Sequence, residues 1–176
     1  MERRALQIEL RAAGSNPRRL EGYAATFGVE TRIGDFVESI QSGAFASSLA
    51  SGRDVLALVD HDPSRVLGRT KSGTLRLVED TRGLHFSLDL PDTQAARDVL
   101  ALAERGDIGG ASFGFKVAPA GEAWRGNRRE LRAVNLHEIS IVQSWPAYSD
   151  TTVEARSHFA NLQKVGLRPT LGRWRA

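Results

Sequence analysis

Apolar residues fall at every second position in several short stretches of this chain, and that two-residue period constrains its fold most. Leu84, Phe86, Leu88 and Leu90 alternate with His85, Ser87 and Asp89, and Leu6, Ile8 and Leu10 alternate with Gln7 and Glu9. Phe113, Phe115 and Val117 follow the same rule. Successive side chains of a strand point to opposite faces, so such stretches are half-buried strands. The pattern predicts strands over 5–11, 22–27, 74–79, 84–90, 130–134 and 136–142. Those over 74–79 and 84–90 join as a hairpin across Asp80-Thr81-Arg82-Gly83. The unbroken apolar run 55–59 reads as a fully buried strand. Helical spacing is clear only over 93–105, where Thr93 can cap, Ala96, Val99, Leu100 and Ala103 share a face, and Gly106 stops the helix. A shorter helix is expected after Ser42 as its cap, with Phe45 and Leu49 one turn apart and Gly52 at its end. Seven to nine short strands, two helices and no βαβ rhythm predict a mainly β protein with helices (α+β), built as a barrel or sandwich.

A chain of 176 residues, 41% apolar and 26% charged, can bury one core without covalent staples. The absence of cysteine excludes disulfides and thiol catalysis. There is no apolar stretch long enough for a membrane helix, and Met1-Glu2-Arg3-Arg4 leads into no signal-like run. The expectation is therefore a soluble protein inside a cell, with no membrane partner. Charge is uneven. Residues 1–20 hold five arginines and two glutamates, and residues 154–176 hold five basic residues and one glutamate, whereas 21–153 is net acidic. The chain divides on this reading into a domain, 1–153, and a basic tail, 154–176, that is flexible or removable. Basic ends suit either solvated extensions or contact with nucleic acid or another acidic surface. No basic stripe interleaved with aromatics runs through 21–153, which argues against nucleic acid.

Without cysteine, hydrolysis needs a hydroxyl nucleophile with a base, a carboxylate pair or a metal. His61 stands where the apolar strand gives way to Asp60-His61-Asp62-Pro63. An imidazole there can exchange a proton near neutrality, or be a surface histidine beside two aspartates. Adjacent strand residues point apart, which weakens a metal site at Asp60-His61-Asp62. Ser112 lies in Gly109-Gly110-Ala111-Ser112-Phe113-Gly114-Phe115. Glycines there let substrate approach and free N–H groups for an oxyanion, or they simply permit tight packing. Glu138 is the one carboxylate in strand 136–142. It is either the partner of a histidine or a structural or exposed carboxylate. His137, by alternation, points the other way, towards Ile139 and Ile141. His85, Ser87 and Asp89 imitate a triad, but ~6.7 Å between alternate positions of one strand is too far for hydrogen bonds.

Three segments together resemble a known family: "VLALVDHDPSRVLGRT" (55–70), "GDIGGASFGFKV" (106–117) and "LHEISIVQSWPAYSDT" (136–151). With "GDFVESIQSGAFASSL" (34–49) and the helix 93–105, they make the chain similar to tailed-phage prohead proteases, serine proteases that mature the capsid. The resemblance covers about 20–155. It implies a fold related to the herpesvirus assemblins, a mostly antiparallel β-barrel of about seven strands surrounded by a few helices. It implies Ser112 as nucleophile, His61 as base and Glu138 as third member, with backbone N–H groups around Gly109, Gly110 and Gly114 supporting the oxyanion. The assemblins have histidine at the third position, which makes His137 the runner-up. The implied substrates are the major capsid protein or a scaffold protein, and the protease itself by autocleavage. The implied place of action is the immature capsid in the host cytoplasm. The tail 154–176 is then flexible or autocleaved. The alternative function, from the basic ends, is a non-enzymatic capsid- or nucleic-acid-binding module. No cofactor or metal is expected, and self-association is left open.

Overall fold

The computed structural model describes residues 1–6, 11–12 and 18–143. They lie within one compact unit, Met1–Pro146. The expected tail 154–176 and the strand positions Ile8 and Leu10 fall outside the described residues.

In chain order the elements are β1 (Glu2–Leu6), β2 (Arg11–Ala12), β3 (Arg19–Thr26), β4 (Thr31–Ile33), β5 (Phe36–Ile40), α1 (Ala46–Ala50), β6 (Leu56–Val59) and β7 (Asp62–Arg69). Then follow β8 (Leu75–Glu79), β9 (Gly83–Asp89), α2 (Gln94–Arg105), β10 (Gly110–Val117), β11 (Glu122–Arg125), β12 (Arg128–Leu131) and β13 (Val134–Val142). The mainly β reading with two helices holds. The barrel does not: the described strands form three open sheets, ordered β1-β10-β13-β6-β7, β11-β12-β5-β4 and β2-β3-β9-β8. Pairing is antiparallel except for β13–β6 and β12–β5, which are parallel.

The period-2 segments become the strands that line the core. Leu84, Phe86 and Leu88 of β9 are buried, and β9 pairs with β8 as the expected hairpin. Phe113 stacks on Phe115 at 5.1 Å between ring centroids, and Phe45 meets Phe113 edge-on at 5.5 Å. Burying one such ring is worth about 1.5–3 kcal/mol. The helix α2 starts at Thr93, whose hydroxyl accepts from the Ala96 N–H, and ends at Gly106 in the left-handed region, φ 78°. Its buried face is Ala96, Val99 and Ala103.

Three local expectations change. Ser42 does not cap α1, which starts later, after Phe45, without a side-chain cap. What holds α1 is tertiary: its buried Ser48 accepts the Leu136 N–H of β13 at 2.9 Å. Strands β4, β7 and β11 have no period-2 apolar signal, and β12 begins earlier than the pattern suggested. They form because a neighbour offers an edge. Lastly, β13 carries one extra residue. Gly114 pairs with Glu138 but Phe115 pairs with Leu136, leaving His137 as a bulge.

Candidate active site

The central strands β10 and β13 supply the site. Ser112 lies directly opposite Ser140, and Gly114 opposite Glu138. In an antiparallel pair, residues directly opposite share a face with their Cβ atoms about 5 Å apart. Phe113 and Ile139 fill the core from the other face, so Ser112, Ser140 and Glu138 line up away from it. All three are buried.

His61 reaches this face from the tight turn between β6 and β7. Asp60 and His61 both have left-handed backbone, φ 49° and 61°. That region disfavours L-residues, and such outliers persist only where surrounding bonds hold them. Here β13 does so. The Asp60 N–H donates to Ile141 O at 3.0 Å, the His61 N–H to Ser140 Oγ at 3.2 Å, and Asp60 Oδ1 accepts the Gln143 N–H at 2.8 Å. The imidazole then lies against Glu138, with Nδ1 2.7 Å from Oε1.

Glu138 is tightly held. Burial alone would push its carboxyl up. The hydrogen bonds from His61 and Ser140, and the charges of His61 and Arg3, outweigh that and hold it below the ordinary carboxylate range. Ser140 Oγ donates to Oε2 at 2.8 Å, and the half-exposed Arg3 brings its Nε within 3.4 Å of Oε1. An ionised carboxylate only accepts, so the proton shared by the pair sits on Nδ1 of His61. Gly114 makes the arrangement possible. A Cβ there would stand 2.5 Å from Glu138 Oε1 and 2.7 Å from Cγ. The carboxylate occupies the space that a side chain on β10 would fill.

The expected trio is therefore brought to one face but not into one chain of hydrogen bonds. His61 and Glu138 are in contact. Ser112 is one row away, and its hydroxyl donates to the Arg4 carbonyl of β1 at 2.8 Å rather than to His61. The glycines divide in role. Gly114 gives room to Glu138, Gly109 uses its N–H on Val142 O at 3.0 Å, and Gly110 adopts φ 153°.

His137 sits in the bulge of β13: Ile139 and Leu136 face Phe113 and Phe115 although three residues apart. Its Nε2 is buried without a hydrogen-bond partner among the described residues. Burial, then the charges of Arg53 and Lys116, push its pKa down. His85, Ser87 and Asp89 each have a separate partner: the Tyr23 ring, Glu21, and Arg19 with Arg76. Among the described residues no group of three or more His, Asp or Glu side chains gathers as a metal site, and no helix is long and apolar enough to cross a membrane.

Two participants were not singled out from sequence. Ser140 follows Glu138 by two positions, so alternation alone would have put both on one face. Arg3 had no such signal, because only the pairing of β1 with β10 brings it there.

No curated protein matches the chain. The family described as caudovirus prohead serine protease matches residues 6–165, a span that contains His61, Ser112 and Glu138. The face that joins an imidazole, a carboxylate and a serine row thus lies in a chain that belongs to the caudovirus prohead serine protease family, serine peptidases of capsid maturation.

Proposed function

We propose that this protein is an endopeptidase that cleaves capsid or scaffold protein inside the prohead through a Ser112 acyl-enzyme. The observation that carries the reading is the 2.7 Å contact of His61 Nδ1 with Glu138 on the face that also bears Ser112. It supplies an imidazole oriented by a carboxylate, on the face that carries a hydroxyl.

In this mechanism the Ser112 hydroxyl turns from the Arg4 carbonyl to Nε2 of His61 as substrate enters. His61 takes the proton while Oγ attacks the scissile carbonyl, and Glu138 stabilises the imidazolium. His61 then protonates the leaving amine. Water, deprotonated by the same nitrogen, hydrolyses the ester and frees Ser112. Backbone N–H groups of the Gly110–Gly114 segment hold the oxyanion, the Gly109 N–H being taken by Val142 O. The substrates are the major capsid protein, a scaffold protein and the basic ends of the chain itself. The domain is 1–153, and 154–176 is the segment trimmed.

The test is co-expression with the major capsid protein of the same phage. Ser112→Ala should lower processing by about 10⁴- to 10⁶-fold, leaving an uncleaved capsid protein and intact termini by mass spectrometry. Glu138→Gln should reduce cleavage and His137→Ala should leave it. The reverse pattern would transfer the third role to His137, and unchanged processing by Ser112→Ala would refute the mechanism.

A further inference from the structure

Ser140 stands at the crossing of every part of this face. Its side chain is fully buried, so its hydroxyl has no water to satisfy it. It donates to Glu138 Oε2 at 2.8 Å and accepts the His61 backbone N–H at 3.2 Å. Across the ladder it is the direct partner of Ser112. A hydroxyl has one proton and two lone pairs. Here the proton fixes one carboxylate oxygen and one lone pair fixes the turn that carries the imidazole.

The two bonds act on different degrees of freedom. A glutamate has three side-chain torsions, and the last is broad and roughly two-fold. Contact of Oε1 with His61 leaves the carboxyl plane free to swing about that bond, and anchoring Oε2 removes the swing. The backbone bond acts at the left-handed turn, where His61 would otherwise relax towards ordinary φ. One side chain therefore sets the carboxylate and the imidazole relative to each other.

We infer that Ser140 is a positioning residue: through Oε2 of Glu138 and the backbone N–H of His61 it locks the imidazole–carboxylate pair in register with Ser112. The inference deepens the proposed mechanism and rests on it for its catalytic meaning, though not for its geometry. The charges acting on Glu138 beside it are His61 from the turn and Arg3 from β1. Neither replaces the bond to Oε2, because both approach Oε1.

The experiment uses the full chain carrying Ser140→Ala, Glu138→Gln, or both, with folding checked by thermal melting. Two readouts are taken: the NMR titration of the His61 ring, and the rate at which a fluorophosphonate probe labels Ser112. Ser140→Ala should move the His61 midpoint by at least half a pH unit and slow labelling at least tenfold. In the Glu138→Gln background the loss from Ser140→Ala should shrink to the part carried by the His61 turn, since one of its two bonds acts through the carboxylate. An unmoved midpoint, or a full tenfold loss persisting in that background, overturns the inference. Absence of labelling in the unaltered protein would count against the Ser112 mechanism alone, because the ring titration still decides the role of Ser140.

Discussion

A glycine decides whether a carboxylate can meet an imidazole in this protein. Gly114 has no backbone peculiarity that demands it, and what it provides is room. With Glu138 Oε1 and Cγ both inside normal contact of any Cβ, Gly114→Ala should push the carboxylate off His61. The expected result is a loss of at least tenfold in Ser112 labelling or capsid processing, with a melting temperature that falls by only a few degrees. Labelling at the unaltered rate would show that Glu138 gives way without cost. This steric role stands beside the oxyanion support that the sequence suggested for the same glycine. The residues flanking His61 show the complementary case. Asp60 and His61 adopt left-handed backbone without being glycine, and two hydrogen bonds to β13 and one from Gln143 just after it hold the turn against that preference.

At the scale of elements, the edge strand β1 is bound by more than its ladder. Arg129 of β12 donates to Glu2 of β1 at 2.6 and 2.9 Å, to Glu38 of β5 at 3.0 Å and to Glu122 of β11 at 2.6 Å. Arg4 of β1 forks onto Glu38 at 2.6 and 2.9 Å. These bonds tie the sheet that carries Ser112 to the sheet of β5, β11 and β12. They also hold the Arg4 carbonyl where Ser112 finds it. Glu38 is buried, so removing Arg129 leaves its charge, among the described residues, with Arg4 alone. Arg129→Ala should lower the unfolding free energy by about 3 kcal/mol in urea titration. Arg129→Lys should recover little, for an ammonium cannot reproduce the fork. Deleting the exposed pair Arg128–Glu30 should change stability by less than about 1 kcal/mol. Equal losses at the two sites would remove any special status from the buried network.

For the whole molecule, the shifted groups predict an acid-sensitive fold. Burial lowers the pKa of His137 from its ordinary 6.5. The folded chain thus binds fewer protons there than the unfolded chain, and this contribution is complete above 6.5 and lost as pH falls through the folded value. Glu2, hydrogen-bonded by Arg129, and Glu138 are both held below their ordinary 4.5. Their stabilisation is complete above 4.5 and is lost as pH falls through their folded values. Urea midpoints should therefore fall in two stages on acidification, the first below 6.5 and the second below 4.5. His137→Gln should abolish the first stage, and a single stage in the unaltered protein would contradict its assignment.

Side-chain period alone determined which segments line the core, since β9, β10 and α2 bury the faces their spacing marks, and it announced a mainly β fold. His61, Ser112 and Glu138 were legible because each breaks a local pattern: a histidine at a strand end, a serine among glycines, a carboxylate in an apolar strand. The short polar strands were not legible, because they bury too little to leave a period and take their shape from a neighbour's edge. Only the tertiary structure could bring Arg3 and the Arg4 carbonyl to the site, insert the bulge at His137, and replace one barrel by three open sheets. Those features depend on register between segments separated along the chain, and register is decided by the packing of whole faces rather than by the residues of either strand.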